Sequence, residues 1–165
     1  MSVSTSTDAL ALLEKQKDTR QSPCIVSAIK VLGQANAVNA VPVLIGYLDF
    51  VDPTTARSPG AASDVGPNYP PVTALFQIGK PATHGLLSAI ESSGTSTIRE
   101  NAQNTYLFVY RDDLPSGIRQ LKKEERIATT VTARRGLSET MKALLDACAA
   151  RGDPEARLCT DAARN

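Results

Sequence analysis

Two stretches of this chain repeat one another. When "AIKVLGQANAVNAVPVLIGYL" (28–48) is laid over "ALFQIGKPATHGLLSAI" (74–90), Ala28, Ile29, Leu32 and Gly33 fall on Ala74, Leu75, Ile78 and Gly79. With a turn four residues shorter, Ala40, Leu44, Ile45 and Leu48 fall on Ala82, Leu86, Leu87 and Ile90. Such a repeat constrains the fold strongly, because each copy has an apolar flank that only a neighbouring copy can bury. Each copy reads as a short apolar helix, a glycine, a turn and a second apolar helix. Gly33 and Gly79 are placed to act as C-terminal caps, where a left-handed backbone costs residues with a side chain more. Pro42 and Pro81 stand near the starts of the second helices, where a missing N–H leaves no hydrogen bond unmade.

A third, fainter copy lies in "STIRENAQNTYLFVYRDDLPSGIRQLKKE", where Ile98, Ala102 and Tyr106 match Cys24, Ala28 and Leu32 in spacing. Thr97 with Glu100 makes a capping box for its first helix. Asp113-Leu114-Pro115 makes its turn, and Ile118 and Leu121 begin its second helix. Further on, Leu137, Met141, Leu144, Leu145 and Cys148 follow one helical face, and a last helix runs from Pro154 to about Ala163. Leu10, Leu12 and Leu13 mark an N-terminal helix ahead of the helix-start signal Ser22-Pro23. Aromatic residues make up 4% of the chain, with no Trp, so the core rests on Ala, Leu, Ile and Val. That composition suits close-packed helices, and no segment sustains the apolar–polar alternation of a strand. The chain reads as one all-α domain of 165 residues.

The motifs "IGKPATHGLL" (78–87), "LGQANAVNAVPVLI" (32–45) and "IRENAQNTYL" (98–107) resemble HEAT-like repeats, in particular the short type of proteins related to phycobilisome lyases. In that family a Gly-x-Pro-Ala turn precedes a Leu-Leu helix, and an aliphatic-Arg pair, here Ile98-Arg99, opens the first helix of a repeat. The likeness covers about residues 22 to 125. It implies a right-handed α-solenoid of about three repeats plus terminal helices, whose second helices line a concave face. It implies no single function, because the fold hosts scaffolds, inhibitors and a few enzymes. The sequence departs from the pattern at 51–71, "VDPTTARSPGAASDVGPNYPP", a connection holding five of the ten prolines. This stretch reads as a loop, with Val65 and Tyr69 as its ordering residues. Loops of this length are tolerated insertions or functional segments.

The formal charge is +1, and neither nucleic acid nor membrane is an expected partner. No stretch approaches the apolar length of a membrane span. The N-terminus lacks a basic region followed by an apolar one, which makes a cytoplasmic location the default. A mature form of an exported protein, its signal peptide removed, would begin in the same way. Cys24 reads as a small hydrophobe in an apolar helix. Cys148 and Cys159 flank the turn signal Gly152-Asp153-Pro154. The first reading makes them two buried free thiols. The alternative is a disulfide clamping the C-terminal hairpin of an exported protein. No cysteine or histidine spacing suggests a metal, and no motif asks for a cofactor.

His84 is the only histidine. It is placed to act as a base or ligand at the start of a second helix, but a partly exposed helix-start residue is the plainer account. The absence of any "HE" pair excludes the iron chemistry of HEAT-like deoxyhypusine hydroxylases. The near-zero charge and lack of Trp argue against the HEAT-like alkylpurine DNA glycosylases. "GLSET" (136–140) lacks the second glycine of a nucleophile elbow, and Ser138 reads as a helix cap. The one patterned charge cluster is "IRQLKKEER" (118–126). There Arg119, Lys122, Lys123 and Arg126 share a helix face, diluted by Glu124 and Glu125. Tyr106 and Tyr110 share another face, with Phe108 opposite, as expected of packing between helices.

The resulting expectation is a non-catalytic module that binds a protein or peptide. Its candidate contacts are His84, Ser88, Glu91, Arg119, Lys122, Lys123, Arg126 and the Tyr69 loop. The family resemblance alone suggests an alternative, a lyase-like or chaperone-like role on a tetrapyrrole chromophore. A third reading is a repeat domain cut from a longer protein.

Overall fold

A computed structural model describes residues 5–16, 23–53, 68–92 and 95–164. Within them, all regular structure is helical. The helices are α1 (Ser6–Lys15), α2 (Pro23–Gln34), α3 (Val41–Ile45), α4 (Pro70–Ile78), α5 (Thr83–Glu91), α6 (Ser96–Tyr110), α7 (Leu114–Ile127), α8 (Val131–Ala149) and α9 (Asp153–Arg164). Single 3-10 turns, Val38–Ala40 and Lys80–Ala82, lead into α3 and α5. The chain divides into two compact units, Met1–Gly85 and Leu86–Asn165.

The two aligned stretches become two hairpins, α2 with α3 and α4 with α5, the last helix crossing from the first unit into the second after Gly85. Of the eight aligned pairs, every member except Ile45 and Gly79 is buried, so the shared pattern is the pattern of the core. The first helices pack on each other, and α3 packs on α4 as well as touching α5. α2 lies along α4, and a Cβ added at Gly33 would stand 2.7 Å from the Ala74 Cα. α3 meets the start of α5, where a Cβ on Gly85 would stand 2.9 Å from Val41 Cγ1. Both contacts need a residue without a side chain. α1 begins at Thr5, whose hydroxyl accepts from the Asp8 N–H, and it packs on α2. The hydroxyl of buried Tyr47 donates to the Leu13 carbonyl at 2.8 Å, adding a second donor beside the Gln16 N–H near the end of α1.

The two aligned glycines differ in role. Gly79 fits the expectation: it caps α4 with φ 74 and ψ −142, backbone territory for glycine. Gly33 does not, because it lies inside α2. The left-handed residue of the first hairpin is Asn36, at φ 47. The α2–α3 turn therefore closes three residues later than the alignment suggests, and α3 keeps only five residues.

The 51–71 connection is shorter than the sequence suggests. Pro70 and Pro71 are buried and open α4, where their fixed φ and missing N–H suit a first turn. The ends of the connection are tied together by a backbone hydrogen bond from the Asp52 N–H to the Asn68 carbonyl, 3.0 Å. Val65 lies outside the described residues.

In the second unit α6 and α7 form a hairpin, and α8 and α9 another. α7 lies against both α8 and α9. The α6 cap is Thr95, whose hydroxyl accepts from the Ile98 N–H, rather than Thr97, which lies inside the helix. Likewise Ser138 is an exposed mid-helix residue, and Thr130 caps α8 through the Ala133 N–H. Tyr106 and Tyr110 stack with ring centroids 4.7 Å apart, and the Tyr106 hydroxyl donates to the Gly117 carbonyl across the hairpin. Burial, with Tyr110 beside it, pushes the Tyr106 phenol well above its ordinary value. That hydroxyl is therefore a fixed structural donor. Gln103 Nε2 adds a bond from α6 to the Gly136 carbonyl of α8, 3.2 Å.

Cys148 and Cys159 are joined by a disulfide that links α8 to α9, replacing the two free thiols of the first reading. Both are buried, and the turn between their helices contains Gly152 at φ 97. Cys24 is half-buried in α2 and takes no part in a disulfide.

Candidate functional site

α7 is amphipathic because its apolar residues Leu114, Ile118 and Leu121 recur on the side that packs, with Gly117 set against the ring of Tyr110. The remaining surface carries the four cations named from the sequence. At 3.6 residues per turn, Lys122, Arg126, Arg119, Lys123 and Ile127 occupy one arc of about 140°. Arg119, Lys123 and Arg126 are exposed, while Lys122 is half-buried and paired with Glu125 at 3.4 Å. The Arg119 guanidinium donates to the neutral Ser116 hydroxyl at 2.9 Å. Glu124 accepts from Gln120 at 3.0 Å. Both glutamates are half-buried and lie outside the arc, so they dilute the stripe less than their adjacency in sequence suggests.

Two residues of this surface have no counterpart in the sequence reading. Ile127, the last residue of α7, is 67% exposed, and Val131, the first of α8, is 84% exposed. They are the two most exposed large apolar side chains among the described residues, and only three positions separate them. Cations surround them in the sequence. Arg126 precedes Ile127, and Arg134, which donates to the Ala128 carbonyl at 3.0 Å, and Arg135 follow Val131. The available signal was that Ile127 continues the polar i, i+4 series Arg119–Lys123 and departs from the apolar one.

His84, Ser88 and Glu91 lie on α5 at i, i+4 and i+7. His84 and Ser88 are exposed and Glu91 is half-buried. Tyr69, half-buried, stands just before α4 without a side-chain capping bond. Tyr69 and His84 belong to the first unit. Ser88, Glu91 and the four cations of α7 belong to the second. Among all eight, the set brought onto a single face of the second unit is the α7 quartet.

A polar corner between α6 and α8 is structural in character. Glu139 accepts from Arg135 at 2.8 Å, and that bond chiefly holds its carboxyl below the usual range. Arg99 donates through Nη2 to the Ser92 carbonyl, while its buried Nε has no partner. Among the described residues, no three His, Cys, Asp or Glu side chains gather as metal ligands would, and no helix is long and apolar enough to cross a membrane. No family model matches the chain, nor does any curated protein or solved structure.

Proposed function

We propose that this chain is a non-catalytic helical-repeat module, an α-solenoid of the HEAT-like kind, that binds a protein or peptide segment. The observation that carries this reading is the packing of the first two hairpins along their first helices, with a local approach of the second ones. First helix meets first helix at Gly33 and Ala74, and second meets second at Gly85 and Val41. Repetition of that contact is how hairpin stacks generate an extended surface, with side chains presented at regular intervals along successive helices. His84 and Ser88 occupy such exposed positions on a second helix. The buried C-terminal disulfide supports placing the protein in an oxidising compartment, as an exported chain, in preference to the cytoplasm.

The test is purification of partners from the native host with the intact chain as bait, beside a Gly33→Leu variant whose stack is broken. A saturable partner retained by the first and lost by the second is the expected result. Equal recovery on both baits overturns the reading. So does an absorbance shift on mixing with bilins in the absence of any retained protein, which would favour the tetrapyrrole role.

A further inference from the structure

We infer that the exposed arc of α7, with the corner it makes with α8, is a docking stripe for an acidic peptide carrying an apolar anchor. The inference rests on the binding-module reading above and adds a location and a partner chemistry to it. Residues 119–139 contain six cations (Arg119, Lys122, Lys123, Arg126, Arg134 and Arg135) against three carboxylates, Glu124, Glu125 and Glu139, the last paired with Arg135. That is a surplus of three in a chain whose total is +1, so net positive charge is concentrated here. The Arg119 side chain donates to a neutral hydroxyl, that of Ser116, which leaves its charge for an outside anion.

The stripe is not uniformly charged. Arg119, Lys123 and Ile127 follow one another at i, i+4 and i+8, a rise of about 12 Å, and Val131 stands just beyond. A partner helix with carboxylates one turn apart, followed one turn later by Leu or Phe, presents the complementary order. The carboxylates would set its register and approach rate, and the apolar side chain would slow its release. Covering Ile127 and Val131 removes from water the two most exposed large apolar side chains among the described residues.

A narrow peptide fits better than an anionic membrane. Membrane-surface helices bury a broad apolar face rich in Trp, Phe or Leu, and the arc offers only one Ile with one Val beyond it. Glu124 and Glu125 on its margins would also face an anionic plane, whereas a peptide one helix wide avoids them.

The probe is a fluorescein-labelled alanine-based helix with two Glu residues four apart and a Leu four further on. Fluorescence anisotropy is read on the full chain and, in parallel, vesicles of phosphatidylserine and phosphatidylcholine are sedimented with it. Saturable peptide binding that weakens with added salt is expected, with a Lys-for-Glu peptide failing to bind. The double reversal R119E/K123E should weaken binding about tenfold or more. The pair Ile127→Ser and Val131→Ser should weaken it severalfold and leave the salt dependence unchanged. All substituted positions are exposed, and circular dichroism checks that each variant stays folded. Binding that survives R119E/K123E overturns this surface and leaves the module reading standing. Absence of any peptide binding overturns the stripe. Sedimentation with vesicles that the same reversal abolishes, without peptide binding, transfers the surface to lipid. Failure of the broader reading is separately visible, as a bait that retains no partner from the host.

Discussion

The hairpin of α2 and α3 closes through Asn36 in the left-handed region, and its glycine is spent three residues earlier on a contact with α4. The hairpin of α4 and α5 places its glycine at the turn itself, with φ 74. At Gly33 an added Cβ would meet the Ala74 Cα at 2.7 Å and run into Gln77 Oε1. At Gly79 the nearest atom would be 3.9 Å away. One glycine is therefore required by what lies outside its helix, the other by its own backbone. Two aligned segments can share a letter without sharing the physical reason for it.

That difference is broken most sharply at Gly33. The Gln77 side chain can swing aside, but the Ala74 backbone cannot without moving α4. Gly33→Leu should lose about 3 kcal/mol or more, at the upper end of overpacking costs, measured by urea unfolding. Gly33→Ala should lose somewhat less for the same reason, even though alanine is the better helix former. A stabilised Gly33→Ala variant would mean that the two helices do not approach so closely.

The C-terminal hairpin solves the same problem in a third way. Its turn also holds a left-handed glycine, Gly152, but α9 contributes little apolar surface of its own. Among its described side chains only Cys159 and Ala162 are fully buried, and Leu158 is 60% exposed. Arg151 helps at the turn, pairing with Glu155 at 3.0 Å and donating to the Arg111 carbonyl. Burying so little surface cannot offset the ordering of twelve residues. The disulfide, spanning 11 positions, ties α9 to α8 covalently beside its packing on α7 and α8. In the chain-entropy account a loop of that size contributes about 2.5–3 kcal/mol. Cys148→Ser with Cys159→Ser should lose about that amount, and reduction should raise hydrogen exchange in 153–164 ahead of α7 and α8. Uniform exchange across all three helices would show that α9 docks without its bond.

How much of this was legible beforehand depends on whether the signal was local or tertiary. The helical class and the buried face followed from spacing, because Ala28, Leu32, Ala74, Leu86 and Ile90 recur at helical intervals and are all buried. Gly79-Lys80-Pro81 was legible as a turn because both the glycine and the proline act on their own backbone. Gly33 was misread because a glycine near a helix end looks the same whether it caps or makes room for a neighbour. The α6 cap slipped by two positions, since "TSTIRE" offers several hydroxyls and only the Thr95 hydroxyl meets the Ile98 N–H. Pro70-Pro71 were grouped with the loop on composition, although proline is equally at home in a first helical turn. Of the candidate site, the α7 stripe was visible as periodicity. Its apolar end at Ile127 and Val131 was not, because exposure depends on what the rest of the unit fails to cover.

Gly79 is the next largest effect. Gly79→Ala meets no atom within van der Waals overlap, so its cost is conformational, about 1–2 kcal/mol for forcing an L-residue into that backbone region. Thermal unfolding reads it directly, and a loss as large as that of Gly33→Leu would show that packing also operates at the turn.

The smallest effect is predicted at Asn36, and its smallness is informative. Asparagine is among the few residues with a side chain that tolerate the left-handed region, so Asn36→Gly relieves little strain in the folded chain. It also gives the unfolded chain more freedom to lose. The two terms oppose each other and should leave stability within about 0.5 kcal/mol of the parent. Asn36→Ala has the strain without the tolerance and should lose about 1 kcal/mol. If Asn36→Ala were neutral while Gly33→Ala cost more than expected, the cap of the first hairpin would have to be returned to Gly33. The two glycines would then be doing the same work after all.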